Sequence, residues 1–219
     1  MNKCYMCPAR VSTKNRGVLS DANFKKAIDD LLEHDYSGEV HLYGQGEFLL
    51  DKRIFEMIDY VHDKLPRARI ILISNLVAMN NEMMAKLLRA PIASFTTSIY
   101  ALDAEAYKKI CGRDNFVKVI TNLIKFSKAW AKRQPFQFVV YLMSSEYNHH
   151  DSNFIKYFIK KIPCSSYAMT CLVRLRGMFK RKKTIGFFAQ PYTKKLKYQQ
   201  MGIYRHVRLI LIRNCFLVT

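Results

Sequence analysis

The chain has 219 residues, half of them hydrophobic, with 36 Lys+Arg against 17 Asp+Glu and a formal net charge of +19. That size suits one large domain, or one domain with an appendage, and the apolar share is enough for a core. The longest apolar runs, such as IILIS at 70–74 and FVVYLM at 138–143, are strand-length, and no apolar stretch in residues 1–30 resembles a secretory signal; a membrane span would need about 20 residues, so the cytoplasm is the expected location.

In chain order, Cys4 and Cys7 come first, two residues apart and followed by Pro8. The pair is compatible with a redox couple, half a zinc site or part of an iron–sulfur loop. The six cysteines, at 4, 7, 111, 164, 171 and 215, are too scattered over too long a chain for a small disulfide scaffold. Residues 22–35 place Phe24, Ile28, Leu31 and Leu32 at helical spacing, with Ser20 and Asp21 as N-cap candidates. The segment 38–44 then reads as a short buried strand, 52–65 as a helix, 68–74 as a strand and 80–90 as a helix. Residues 93–100 form a strand, 103–110 and 116–132 helices, 136–143 a strand, 151–162 a helix and 166–175 one more strand. This alternation calls for βα units around a parallel sheet. The order opens on a loop and a helix, so a strand before Cys4 is missing from it.

Parallel α/β proteins place ligands at the C-terminal ends of their strands. The first strand ends in YGQGEFLLD (43–51), the second in ISNLVAMN (73–80) and the third in TSIYALDAEAYKKICG (97–112). Glycines allow close approach of a ligand to the backbone. Taken singly these features are ordinary: Gly44 and Gly46 suit a turn, Glu47 suits the start of the next helix, and Asn75 and Ser98 suit loop caps. His149 and His150 read as solvated residues before a helix, and Cys164, Cys171 and Cys215 lack metal-ligand spacing.

Together and in this order, the segments resemble the radical S-adenosylmethionine (radical SAM) enzymes. Cys4-x-x-Cys7-Pro8 resembles the second and third cysteines of the family's C-x3-C-x2-C loop, which binds three irons of a [4Fe–4S] cluster. The resemblance places the first cysteine of that loop immediately before Met1. GQGEFLL resembles the G-G-E-P-L-L motif, so Gln45, Gly46 and Glu47 map to the site of the methionyl amino group, with Phe48 in place of proline. ISNL resembles the I-S-T-N-G segment, which puts Ser74 and Asn75 at the ribose and methionyl end. The SIYALDAEAYKKICG stretch resembles a further family motif, implying that Ser98 contacts the nucleoside or carboxylate. Tyr100 there replaces an acid and Cys111 an arginine. YNHHDSNFIKYFIKKI is similar to the helix after the family's fifth strand.

The resemblance covers about residues 1–176 and implies an α/β fold, a partial (β/α)6 TIM-like barrel of the radical SAM type with its first strand missing. It implies reductive cleavage of S-adenosylmethionine at a [4Fe–4S] cluster, with Cys4 and Cys7 as iron ligands, to form a 5′-deoxyadenosyl radical. An electron donor such as flavodoxin or ferredoxin, and a peptide, protein or small-molecule substrate, would be its partners. The catalytic acid or base is not named by any residue.

Residues 177–219 form a separate basic segment. All 17 acids lie at or before Asp151, where they face 21 Lys+Arg, whereas residues 152–219 hold 15 Lys+Arg and no acid. Helical and strand periods also decay after about residue 180, and residues 206–218 are apolar without an assignable partner. Three readings stay open. The segment binds nucleic acid or another polyanion, with Lys180 to Lys183 and Lys194 to Lys197 interleaved with Phe187, Phe188, Tyr192 and Tyr204; it is a solvated surface; or it is a remnant or out-of-frame extension of an inactive barrel fragment.

Overall fold

The computed structural model describes residues 4, 5, 7, 17–44, 46–144, 147, 162–175, 178–188, 198–199, 208–212 and 215–218, and from Ser166 onward it describes backbone. Helix starts follow local capping chemistry. α1 (Asp21–Glu33) begins after Ser20, whose hydroxyl accepts the Asn23 amide at 3.2 Å, and buries Phe24, Ala27 and Ile28. α2 (Ile54–Lys64) buries Ile54, Ile58 and Val61 at the spacing of one helix face. α3 (Asn81–Leu87) is capped by Asn80 and α4 (Ala104–Cys111) by Asp103, whose carboxylate accepts the Ala106 amide at 2.7 Å. Gly112 stops α4 in the left-handed conformation (φ 63°) that a residue with a Cβ adopts at a cost. α5 (Phe116–Ala131) follows directly.

The strands β1 (Glu39–His41), β2 (Arg69–Ser74), β3 (Ser94–Ile99), β4 (Gln137–Ser144) and β5 (Ser166–Leu175) pair in parallel, in that order. Leu72 lies opposite Phe95, and Phe95 opposite Phe138. This is the βα order expected from the sequence; the expected helix at 151–162 lies, up to residue 161, outside the described residues.

The last third of the chain enters the same sheet. β6 (Met178–Phe188) runs antiparallel on β5, and β7 (Tyr198–Gln199) antiparallel on β6. β8 (Arg208–Ile212) pairs in parallel with β1, Leu209 opposite Val40, and β9 (Cys215–Val218) returns antiparallel along β8. The apolar run without an assignable partner therefore takes the edge of β1, where the expected barrel lacks its first strand. An exposed edge offers unpaired N–H and C=O groups to an extended segment from anywhere in the chain, a pairing that local periodicity does not encode. The described strands run in one open series from β7 to β9, so the barrel is not closed.

Side chains alternate across the sheet. Val40, Leu42, Ile70, Leu72, Phe95, Ile99, Phe138, Val140 and Leu142 face the helices and form one core with Ile28, Ile58, Leu87, Leu123, Phe126 and Trp130. Phe95 sits at its centre, stacked on Phe138 (5.8 Å between ring centres) and edge-on to Phe126 (5.0 Å) and Phe48 (6.3 Å). The Trp130 indole N–H donates to the Phe136 carbonyl at 2.9 Å, closing the turn from α5 into β4. Replacing Phe95 by Ala removes a fully buried ring and is expected to cost about 3–5 kcal/mol. Urea unfolding followed by the fluorescence of Trp130, the single tryptophan, measures it; a midpoint equal to the wild type would show the cluster to be dispensable.

Candidate active site

In the loop after β1, Gly44 and Gly46 are exposed, and Glu47 reaches the end of β2. Glu47 Oε1 accepts the Ser74 hydroxyl at 2.7 Å and, more weakly, the Leu49 amide at 3.5 Å, while Oε2 accepts the Asn75 amide at 2.9 Å. Burial pushes the Glu47 carboxyl above its usual range, against the pull of these three donors. A carboxylate has about four lone-pair positions, so Oε2 keeps one for a further donor. Gln45, expected beside them, lies outside the described residues.

The loop after β2 is held in one shape from several sides. The Leu76 amide donates to Ser74 Oγ and the Val77 amide to Asn75 Oδ1, each at 2.9 Å. Leu76 is fully buried with a left-handed φ of 61°, a conformation that costs a branched side chain energy and persists where surrounding contacts impose it. Asn122 of α5 supplies one such contact: its side-chain N–H group donates to the Leu76 and Met79 carbonyls at 2.9 and 3.1 Å.

The cysteine loop is fastened to the end of α4. The last carbonyls of a helix lack intrahelical partners; that of Ile110 accepts the Tyr5 amide at 3.0 Å, and the Cys7 amide closes a turn on the Cys4 carbonyl at 3.1 Å. This places Cys4, half-buried, against Cys111, the buried last residue of α4, and the two thiols share a hydrogen bond. The bond from Cys111 draws the Cys4 thiol below its usual range, while the same contact and burial hold Cys111 as a thiol. Tyr100, just past β3, is held protonated first by burial and then by the nearby sulfurs of Cys4, Cys111 and Cys7, and it hydrogen-bonds Ser98. Tyr5 packs edge-on against Tyr147, in the loop after β4 (5.1 Å).

The sequence-derived site residues thus fall into two groups at the ends of neighbouring strands. Gly46, Glu47, Ser74 and Asn75 form one; Cys4, Cys7 and Ser98 form the other, joined by Tyr100 and Cys111. Two further contributors escaped the sequence reading. Asn122 looks like any surface helix residue, because its role depends on a loop some 45 positions earlier. His41, buried on the sheet face away from the helices, lies between Tyr43 (Nδ1 to the hydroxyl, 2.6 Å) and Glu39 (Nε2 to the carboxylate, 3.1 Å). The alternation of Glu39, His41 and Tyr43 was its available signal.

The chain belongs to the radical SAM superfamily, whose family model matches residues 1–151. This is a superfamily of enzymes that use a [4Fe–4S] cluster and S-adenosylmethionine. No curated protein matches the chain. Among solved structures, it is similar to SuiB of Streptococcus suis bound to S-adenosylmethionine, with 12% identity, a TM-score of 0.59, and 83% of this chain and 40% of that one covered. SuiB is also solved bound to its precursor peptide SuiA. Methylornithine synthase matches with 16% identity and a TM-score of 0.55 over 81% of this chain and 52% of that one. Coproporphyrinogen III oxidase of Escherichia coli matches with 13% identity and a TM-score of 0.50 over 80% and 43%. At these identities the likeness is one of fold, and the chain spans about half the length of the proteins it matches.

The donor set fits an iron–sulfur cluster in kind: soft thiols on one turn, with Cys4 drawn toward the thiolate that binds iron. Among the described residues, no three His, Cys, Asp or Glu side chains converge on one ion position, so the thiols do not form a ready single-metal site. No described helix is long and apolar enough to cross a membrane.

The raised carboxyl of Glu47 has a consequence for stability. The folded state holds the Glu47 proton more tightly than the unfolded chain, so its contribution is complete below about pH 4.3 and is lost as pH rises through the folded-state value. Glu47→Gln can keep the Ser74 and Asn75 contacts, its carbonyl accepting Asn75 and its amide donating to Ser74, and gives up the weaker one from the Leu49 amide. The wild type is expected to lose stability relative to this variant as pH rises from the ordinary glutamate range. Thermal unfolding of both proteins between pH 4 and 7 measures the difference, and parallel curves would contradict it.

Proposed function

We propose that the chain binds S-adenosylmethionine and a [4Fe–4S] cluster across the ends of β1–β3 and reductively cleaves the cofactor to form a 5′-deoxyadenosyl radical. The observation that carries this reading is Glu47: a carboxylate drawn into a partly buried position, fixed by Ser74 and Asn75, with one acceptor position left. A buried carboxylate is stabilised by a cationic partner, and the methionyl ammonium is one. In this reading Gln45 and Gly46 present backbone to the methionyl group, Ser74 and Asn75 fix the loop beneath it, and Ser98 meets the nucleoside or carboxylate. Cys4 and Cys7 hold iron. When bound, the cluster supplies one electron and the cofactor supplies the group that abstracts hydrogen. The protein's part is to orient both and to keep water from the strand ends; Tyr100, held protonated, adds no negative charge beside the thiolates. The electron comes from a donor of the flavodoxin or ferredoxin kind.

A peptide or protein side chain is the substrate class we favour, supported by the fold likeness to SuiB, which binds a precursor peptide. The sheet face away from the helices, with His41, Ile71, Ile73, Thr96, Ser98, Tyr141 and Met143, is mixed enough in polarity to accept one.

Anaerobic reconstitution with iron and sulfide tests the proposal. The wild type is expected to take up iron and, with a reductant, to release 5′-deoxyadenosine. Cys4→Ala and Cys7→Ala are expected to lose iron. Glu47→Gln is expected to keep iron and bind S-adenosylmethionine about 10- to 100-fold more weakly, the worth of one hydrogen bond between charged groups. Equal iron uptake by the cysteine variants would overturn the assignment.

A further inference from the structure

β1 carries its core residues on one face only. Val40 and Leu42 are buried against the helices, so Glu39 and His41 point to the opposite face, and Tyr43, just past the strand, meets His41 there. The polar side chains on this face are joined end to end. Arg69 of β2 pairs with Glu39 Oε1 at 3.5 Å, Glu39 Oε2 meets His41 Nε2 at 3.1 Å, and His41 Nδ1 meets the Tyr43 hydroxyl at 2.6 Å. The His41 and Tyr43 rings stand edge-on, 5.1 Å apart between centres. His41 in the middle is buried, while Tyr43 is half-buried and lies directly before Gly44, in the loop that holds Glu47. Hydrogen-bond chemistry fixes the direction of the series. An ionised carboxylate only accepts, and a neutral imidazole has one donor and one acceptor nitrogen. Glu39, paired with Arg69, therefore takes the proton on Nε2, which leaves Nδ1 as the acceptor and the Tyr43 hydroxyl as the donor. A hydroxyl bonded to a base, with that base oriented by a third group, is the arrangement that activates an oxygen for proton or group transfer.

No acid or base was named by the sequence motifs. We propose that Tyr43 is the catalytic residue that exchanges a proton with the substrate, and that His41 and Glu39 are its positioning residues. That a substrate lies on this face rests on the reading above; the hydrogen-bonded series does not. In the step, the Tyr43 O–H bond breaks and its proton passes to Nδ1 of His41, whose imidazolium is held against the Glu39 carboxylate. The phenolate oxygen takes a proton from a substrate hydroxyl or ammonium group. The substrate loses one proton, His41 gains one, Tyr43 ends as it began, and no electron is transferred. Run in reverse, the same group protonates the substrate.

The experiment uses metal-free protein, so its failure is separate from failure of the cluster assignment. The probe is N-acetylimidazole, which transfers its acetyl group to a phenol oxygen and leaves as imidazole; digests taken over time are mapped by mass spectrometry. Tyr43 is expected to be acetylated faster than Tyr147, although Tyr147 is the more exposed of the two; this readout requires no variant. His41→Gln can accept the hydrogen bond but not the proton, and is expected to slow acetylation at Tyr43 about 100-fold. Glu39→Gln is expected to slow it less, and both variants to leave Tyr147 unchanged. In nitrogen-15 spectra of protein labelled in its histidine rings, the signal missing from His41→Gln is expected to show a neutral ring protonated at Nε2. Its Nδ1 resonance is expected to shift in Tyr43→Phe, which removes only the donor hydroxyl. Acetylation that follows exposure, with Tyr147 ahead of Tyr43, a rate at Tyr43 that survives His41→Gln, or a His41 ring protonated at Nδ1 would each overturn the proposal.

Discussion

Phe95 lies where the separate parts of this fold meet. Its ring touches Phe138 on the neighbouring strand, Phe126 on α5 and Phe48 in the turn after β1. A parallel sheet brings no two consecutive strands together by a tight turn, so each pairing waits for a crossover to pack. The aromatic centre ties three of those units into one core, and Phe48 sits next to Glu47. Positioning of the candidate site is therefore continuous with the packing of the interior.

From that core the loops are fixed by polar contacts between elements distant in sequence. Glu47 joins the end of β1 to the end of β2, Asn122 joins α5 to the loop that Glu47 holds, and the Tyr5 amide joins the cysteine loop to an otherwise unpaired carbonyl of α4. Each contact satisfies a group whose burial without a partner would be costly. The strain at Leu76 is held where two of them, from Glu47 and Asn122, converge, and a loop held this way loses little conformational freedom when a ligand arrives.

Charge divides the chain differently from structure. Residues 177–219 were read from their charge as a separate basic segment, and the strands described there pair on both sides of the parallel sheet, β6 on β5 and β8 on β1. Backbone pairing is indifferent to side-chain charge, so composition and sheet membership need not share a boundary.

The βα order, the cap residues Ser20, Asn80 and Asp103, and the stop at Gly112 follow from local physics, because periodicity and capping act within a few residues. The motif order Cys4-x-x-Cys7, Gly46-Glu47, Ser74-Asn75 and Ser98 also carried the family. What the sequence could not determine is contact across distance. Nothing near Asn122 points to the Leu76 carbonyl, nothing near Arg208–Ile212 points to the edge of β1, and Cys111 reads as a substituted arginine until α4 brings it to Cys4. Those pairings depend on where separate elements pack, so only the tertiary structure decided them.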